Sequence, residues 1–349
     1  MKKTITYKDS GVDIKTGDST KKNIAKIVKA TFSSRVLSEI GLFGGLFDIS
    51  KTGMNNPVLV SSIDGVGTKI KVAAMTGIHN TVGQDIVAHC ANDIVVQGAK
   101  PLFFLDYIGC SKLSKNIALQ LIKGLVKGCK RAGCALLGGE TAEMPGVYQG
   151  YEYDLVGVIT GIVDRKNILD GKKVRAGDTI IGLPSTGLHT NGYSLARKLF
   201  FDIAKMKATE YLPELRETLG EALLKIHRDY SSVVLKLLKK YDIHAMAHIT
   251  GGGFSGNIPR VLPKNTRAVI NRSAWEPLPI FKIIQEIGNV PRDEMYRTFN
   301  MGIGMALIVK QSDAEALIRA LSAQRLKSVI IGYIEKSPYA SAPRLIYSS

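Results

Sequence analysis

Between residues 114 and 133 the chain reads "SKNIALQLIKGLVKGCKRAG". Ile117, Leu121, Ile122, Leu125, Val126 and Cys129 recur at helical spacing, while Lys123, Lys127, Lys130 and Arg131 fall on the complementary face. That period predicts an amphipathic helix with one buried stripe. "SSVVLKLLKKYD" (231–242) repeats the arrangement. A second type of helix is predicted over 81–99, where Ile86, Val87, Cys90, Ile94 and Val95 share a face and Gly98 closes the run. Short apolar runs bounded by turn residues predict strands at 57–64, 101–109, 134–139, 153–163, 179–185, 302–309 and 328–335. Further helices are expected from about Asn191 to Met206, near 277–288 and over 311–324, with polar helical segments filling 213–241. "AHITGGGFSGNIPRVLP" (247–263) reads as a glycine-rich turn entering a short helix. The charged, turn-rich "DGKKVRAGD" (170–178) marks a boundary between two halves, 1–168 and 169–349. The predicted class is α/β, built as two α+β domains.

Size agrees with two cores: 349 residues exceed what one core usually organises. No run of about eighteen apolar residues predicts a membrane span. The polar start "MKKTITYKDSGVDIKTGDSTKK" has lysines but no apolar core of a secretory signal. Cys90, Cys110, Cys129 and Cys134 form no C-x-x-C pair, so they read as buried thiols of a reducing cytosol rather than zinc ligands. The net charge of +17 raises the question of a nucleic-acid partner. Its lysines lie on the polar faces of amphipathic helices, and no basic tract is interleaved with aromatics. The charge therefore reads as a lysine-rich surface with a mild attraction for anionic substrates, and a basic nucleic-acid-binding protein is the alternative from another class.

Four stretches concentrate chemistry, and a fifth poses a question. In "SSIDGVGTKIK" (61–71) a strand delivers Asp64, then Gly65 and Gly67 allow a tight turn, with Thr68 and Lys69 placed to meet phosphate oxygens. The spacing is neither that of a P-loop nor G-x-G-x-x-G. In "HCANDIVVQGAKP" (89–101) Asn92 and Asp93 interrupt an apolar helix. Two aspartates from separate elements suit a hard cation, since magnesium takes oxygen ligands and leaves part of its shell to water and phosphate. In "PSTGLHTNGYSLARK" (184–198) Thr190 or Asn191 can cap the following helix, and His189 stands beside that cap. In "HITGGGFSGNIPR" (248–260) three glycines precede a helix, as a hinge or a phosphate cradle. Finally, "LLGGETAEMP" (136–145) sets Glu140 and Glu143 after Gly138 and Gly139, which reads as a solvated turn or as backbone closing on a phosphate whose metal the acids hold.

The ordered motifs "TYKDSGVDI", "DGVGTK", "NDIVVQGAKPLFFLDY", "GGETAEMPGVY", "LHTNGYSL", "AHITGGGFSGNIPRVLP" and "MYRTFNMGIGM" together resemble the phosphoribosylformylglycinamidine cyclo-ligase family, also called aminoimidazole ribonucleotide synthetases, from about Tyr7 to Tyr333. The resemblance implies an N-terminal domain whose strands pair across a homodimer into a barrel, a C-terminal α+β domain, and ATP with Mg2+ in the cleft. It implies a cytoplasmic enzyme of purine biosynthesis that closes formylglycinamidine ribonucleotide to aminoimidazole ribonucleotide, releasing ADP and phosphate. The formyl oxygen is phosphorylated, and the amidine nitrogen of the same molecule then displaces it.

Carried over by motif, Asp64, Asp93 and Glu140 would hold magnesium. Gly65, Gly67, Thr68, Lys69, Asn92, Gly138, Gly139 and Thr141 would line the nucleotide. His189, Thr190, Asn191, Gly192, Thr250, Gly251, Gly252 and Gly253 would face the ribonucleotide. His189, Lys69 and Asp93 are the catalytic candidates, with His189 for proton transfer, and Glu143 with Pro145 would fix the following loop. Lys26 or Lys29 is the lysine the family would bring toward ATP. Thiamine-monophosphate kinases and selenophosphate synthetases share the D-G-x-G-T pattern. They typically carry an aspartate where this chain has His248, and no cysteine precedes Cys90 here.

Overall fold

The computed structural model describes residues 23–40, 44–50, 52–339 and 341–348. Residues 1–22, with the "TYKDSGVDI" motif and the expectation about a signal segment, lie outside them. The first half is built on a four-stranded sheet: β1 (Pro57–Gly65), β2 (Lys100–Cys110), β3 (Ala135–Glu143) and β4 (Tyr153–Asp164), in the order β1-β4-β2-β3. β4 pairs antiparallel with both β1 and β2, whereas β3 runs parallel to β2. A parallel neighbour needs a crossover, and the amphipathic helix predicted near 114–131 supplies it.

The helices that flank this sheet include α1 (Lys69–Thr76), α2 (Asn80–Val95) and the crossover α3 (Lys115–Ala132). α3 is capped by the Ser114 hydroxyl, which accepts from the Ile117 N–H, and it ends at Gly133 in the left-handed region. α2 and α3 approach so closely that a Cβ at Gly83 would overlap the Leu121 carbonyl, and one at Gly124 the Asn80 carbonyl. The result buries nearly every residue of α2, polar ones included. Alternation along β1 leaves Leu59 and Ile63 on the sheet's other face, 55% and 67% exposed. All four cysteines are buried and unbonded.

The second half is a six-stranded sheet, β12-β9-β11-β5-β10-β8. Its strands are β5 (Thr179–Pro184), β8 (Ile243–His248), β9 (Thr266–Asn271), β10 (Ile303–Val309), β11 (Val329–Lys336) and β12 (Leu345–Ser348). β10 is buried at every position, as a continuous apolar run in a central strand should be.

Several elements depart from the expected pattern. The helix expected over 191–206 starts at Gly192 and divides into α4 (Tyr193–Arg197) and a π-helical turn (Lys198–Ile203). Neither Thr190 nor Asn191 caps it, because Gly192 occupies the N-cap with positive φ. The expected helical region 213–241 contains a small hairpin, β6 (Tyr211–Leu212) with β7 (Glu217–Thr218), then α5 (Leu219–Leu223) and α6 (Ser231–Leu237). A capping box between Thr218 and Glu221 starts α5. The glycine turn enters α7 (Gly253–Asn257), followed by α8 (Pro279–Gly288), α9 (Arg292–Thr298) and α10 (Ala314–Ala323). β8, β9, β12, α1 and α9 were not apparent in the hydrophobic pattern.

β3 also differs, running through Glu143 instead of stopping at Gly139. Gly139 is accounted for by its neighbour: a Cβ there would overlap Asp106 Oδ1 on β2. Asp106 is buried with no countercharge, and burial pushes its carboxyl up to about 7. Because the folded value lies above the unfolded one, Asp106 weakens stability as pH rises from about 4 to 7. Asp106→Asn is expected to remove that slope, gaining about 2 to 4 kcal/mol relative to the parent at pH 8 and little at pH 4. Urea unfolding of both proteins at the two pH values checks this; parallel pH profiles would refute it.

Candidate active site

α2 lies between the two sheets and presents Asp85, His89 and Asp93 at intervals of four residues, one face of the helix. Each is engaged by a different part of the chain. Asp85 Oδ2 pairs with Lys69 Nζ at 2.7 Å, both side chains fully buried, and Asp85 Oδ1 accepts the His227 N–H at 2.7 Å. Lys69 also donates to the carbonyls of His189 and Lys225, at 3.1 and 2.7 Å. Its ammonium is therefore consumed within the protein, contrary to the expected phosphate contact. Burial lowers the lysine's pKa and Asp85 opposes the shift. We read the pair as ionised, since both partners are hydrogen-bonded in their charged forms.

One turn further along α2, His89 Nε2 donates to Asp64 Oδ2 at 2.8 Å and lies 3.7 Å from Asp93 Oδ2. β1 and α2 thus bring Asp64 and Asp93 together. Asp64 Oδ1 accepts the Gly65 N–H at 2.7 Å, so the first glycine of the "DGVG" turn helps hold the acid. Asp93 Oδ1 accepts from His248 Nδ1 at 2.8 Å, and Ser62 donates to its other oxygen at 3.4 Å. Burial raises both carboxyls, but the histidine hydrogen bonds and charges outweigh it and hold both below the usual range. Their side chains keep 41% and 27% exposure.

Behind the acids one arrangement of protons satisfies the ring-to-ring contacts, and it leaves the approach of Asn92 Nδ2 to His227 Nε2, at 3.3 Å, without a hydrogen bond. His89 Nδ1 lies 2.7 Å from the Thr190 hydroxyl, which lies 3.4 Å from His227 Nδ1. His227 Nε2 is 3.0 Å from His248 Nε2. With His248 donating to Asp93, its Nε2 accepts from His227, whose Nδ1 accepts from Thr190; the threonine oxygen then accepts from His89. His89 is left donating from both nitrogens, an imidazolium. The titration directions agree. Burial depresses His89, but Asp64 and Asp93 overcome it and raise the pKa. Burial lowers His248 despite Asp93, and burial with neighbouring histidines holds His227 well below its ordinary value.

His189 stacks on His227 with ring centroids 4.0 Å apart and is 1% exposed. Its Nε2 accepts the backbone N–H groups of Thr186 and Arg228, at 3.2 and 3.4 Å. The proton therefore sits on Nδ1, which is buried without a partner, and no lone pair is free to take one. Burial first, then nearby positive charge, lowers its pKa far below the ordinary value. The proton-transfer role expected for His189 does not fit this geometry.

The remaining candidates divide. Thr68 lies against the Ser194 hydroxyl at 3.2 Å, joining the "DGVGTK" turn to the second half. Gly67 has φ 71°. Asn92 is fully buried and holds the 228–230 segment, donating to the Arg228 carbonyl and accepting the Tyr230 N–H, so it does not face a nucleotide. Asn191 packs close to Gly251, and its Nδ2 is buried with no partner. Asn257 Nδ2 donates to the carbonyls of Thr250, Gly251 and Gly253, so the glycine turn wraps one amide. Gly252 and Gly253 have φ of 90° and 58°. Gly192 leaves no room for a side chain beside the Phe299 ring.

Glu140 is exposed and accepts only its neighbour's N–H, from Thr141, among the described hydrogen bonds. It lies on β3, the opposite edge of the sheet from β1. Three strand spacings, about 14 Å, separate it from Asp64, so one chain does not converge all three expected ligands. Gly138, in the same strand, lies in no turn. Glu143 Oε1 accepts the Leu113 N–H, fixing the loop that enters α3. Lys29 pairs with Glu39 at 2.6 Å.

The residues that sequence reading passed over are His89, His227 and Asp85. The spacing D-x-x-x-H-x-x-x-D from 85 to 93 was available as a signal for two of them. His227 had none, because its partners come from distant segments.

Comparison with known proteins follows this geometry. Residues 48–163 match the AIR synthase related protein N-terminal domain, and residues 175–342 match the corresponding C-terminal domain. A phosphoribosylformylglycinamidine cyclo-ligase of Alkaliphilus oremlandii is 50% identical over 330 residues, 95% of this chain and 97% of that protein. Among solved structures, a thiamine-monophosphate kinase from Stenotrophomonas maltophilia K279a superimposes with a TM-score of 0.67 at 18% identity, covering 93% of this chain and 94% of the other. The hydrogenase maturation protein HypE in complex with ATP does so with a TM-score of 0.65 at 14% identity, covering 92% and 88%.

Proposed function

The chain belongs to the AIR synthase related family, among its phosphoribosylformylglycinamidine cyclo-ligases, and we propose that its reaction centre forms where α2 meets the second sheet. The activity is ATP-dependent closure of formylglycinamidine ribonucleotide to aminoimidazole ribonucleotide in purine biosynthesis. The observation that carries the site is the pairing of Asp64 with Asp93 around His89, partly exposed and below the usual carboxylate range. Carboxylate oxygens with lone pairs to spare suit a hard, octahedral cation, so Asp64 and Asp93 would hold the magnesium of ATP. That ion would neutralise charge on the transferring phosphoryl group.

The protein's own contribution is positioning. His89 and His248 fix the two acids from behind, and the Asn191 and Thr250–Gly253 loops lie together beside them to receive the ribonucleotide. Attack by the amidine nitrogen is intramolecular, so holding substrate and nucleotide in register supplies much of the rate. The halves 1–168 and 169–349 serve as the nucleotide-binding and substrate-covering parts. No helix among the described residues is long and apolar enough to cross a membrane, and we place the enzyme in the cytoplasm.

Glu140 joins this site only across a homodimer. The exposed apolar face carrying Leu59 and Ile63 supports such a dimer, as does a sheet with β1 and β3 left as opposite edges. Closing two such sheets into a barrel sets the β3 edge of one protomer against the β1 edge of its partner, which brings Glu140 of one chain toward Asp64 of the other. The test supplies formylglycinamidine ribonucleotide, ATP and magnesium, then assays aminoimidazole ribonucleotide and phosphate. Asp93→Asn and Glu140→Gln should each be inactive, yet after mixing and subunit exchange about a quarter of parental activity should return, because half the dimers then carry one intact site. No recovery in verified mixed dimers would remove Glu140 from the shared site.

A further inference from the structure

A cavity of about 730 Å3 opens on the seam between the two halves, remote from the acids. Its first wall includes Gly98, Lys100, Arg131, Asp164 and Lys166; its second includes Lys173, Lys236, Lys239, Asp242 and His244. Asp164 pairs in register with Pro57 on β1. Asp64 lies seven residues further along that strand, about 23 Å away at the usual rise. The volume is that of a small-molecule site.

The charge in this cavity is not balanced. The carboxylates on its wall are Asp164, Asp170 and Asp242. Asp164 accepts the backbone N–H groups of Asn55 and Lys166, Asp170 pairs with Lys172, and Asp242 pairs with Lys173. Lys166 faces the charge of Asp164, whereas no ion pair among the described residues engages Lys100, Lys236 or Lys239. Arg131 donates to the neutral Gln84 amide and also acts on the nearby buried carboxylate of Asp229, so the uncompensated charge rests on the lysines.

A second observation is independent of charge. His244 lines the cavity and is 1% exposed, and its Nδ1 faces Asp178 Oδ2 at 2.7 Å. In the neutral ring with Nδ1 donating to that carboxylate, Nε2 carries a lone pair, and this buried atom has no hydrogen-bond partner among the described residues. The nearest carboxylate oxygen, on Asp242, is 3.7 Å away and cannot donate to it. An occupant matching both features carries negative charge for the lysines and a hydroxyl for His244.

We propose that this cavity is a second ligand site, which takes a phosphorylated ribose such as a nucleoside monophosphate across the seam. The phosphate lies among Lys100, Arg131, Lys236 and Lys239, and a sugar hydroxyl donates to His244. Such a ligand ties the halves together at a point the reaction does not use.

The experiment titrates adenosine monophosphate calorimetrically into the full chain whose ATP site is filled with magnesium and a non-hydrolysable ATP analogue. Lys236→Glu with Lys239→Glu changes two exposed residues, one in α6 and one in the turn that follows it. The control, Lys112→Glu with Lys115→Glu, makes the same change in charge at the far end of α3 from Arg131. One binding event per chain is expected, weakened at least tenfold by the Lys236 and Lys239 changes and less than twofold by the control. Absence of binding to the parent would overturn the proposal. So would binding that survives the Lys236 and Lys239 changes, which places the ligand elsewhere, or equal loss in both variants, which makes it general attraction to a basic protein.

Discussion

Asp93→Asn is expected to lower turnover by about a thousandfold, at saturating ATP and magnesium, while leaving the protein folded. The size follows from what the carboxylate contributes in a site that handles a polyphosphate. Removing a single preorganised oxyanion-hole donor costs about 2.7 to 4 kcal/mol of transition-state stabilisation, and a full charge that holds the cation belongs at the upper end of that scale. Asparagine keeps the shape and one acceptor oxygen, so the Ser62 and His248 contacts can persist in part. What it removes is charge, both for the cation and for the imidazolium at His89, whose raised pKa depends on the hydrogen bond to Asp64 and on the charge of Asp93. Asp64→Asn should behave alike, with a smaller loss because that side chain is more exposed. Steady-state assays with thermal unfolding of the same samples check the prediction. Substantial activity in both variants would refute the metal assignment.

Parts of this site were legible beforehand for identifiable reasons. Asp64 stands at the end of an apolar strand and before two glycines, a local signal that needs no knowledge of the fold. Asp93 breaks an apolar helical stripe, another local signal. The amphipathic α3 was equally plain, because one face is solvated and the lysines mark it. The backbone around Glu140 was misread because the "GGE" run looks like a turn. It is a strand, since Gly139 is required by the Asp106 side chain on the neighbouring strand, a contact between residues 33 positions apart.

His189 misled for the opposite reason. It stands beside a polar loop in the chain, yet folding stacks it on His227 and spends its lone pair on two backbone N–H groups. The histidine set at 89, 227 and 248 is assembled from a helix, a loop and a strand, and no spacing within the chain encodes that meeting. Short elements such as β12 and α9 were missed because β12 is held by pairing with β9, and α9 by packing Met295 and Tyr296 near α7 and α8, not by a period of their own.

Lys69 gives the sharpest separation between what a motif suggests and what the fold does with it. Placed after "DGVGT", an ammonium looks like a phosphate ligand; in the structure it is sealed against Asp85. If the ion pair is its role, Lys69→Met should strand a buried carboxylate and cost about 3 to 5 kcal/mol of stability. Lys69→Met combined with Asp85→Leu should then be less damaging than the single change, because the uncompensated charge is gone even though the carbonyls of His189 and Lys225 lose a donor. A double-mutant cycle by chemical unfolding measures the coupling, and the Michaelis constant for ATP measured on the same proteins supplies the second readout. Unchanged stability in Lys69→Met, together with a large rise in that constant, would mean that the ammonium leaves Asp85 to meet the nucleotide. A large coupling with ATP affinity restored in the double variant assigns Lys69 to holding α1, α2 and the 189 and 225 loops in place, so that His89, one turn further along α2, keeps the acids in their geometry.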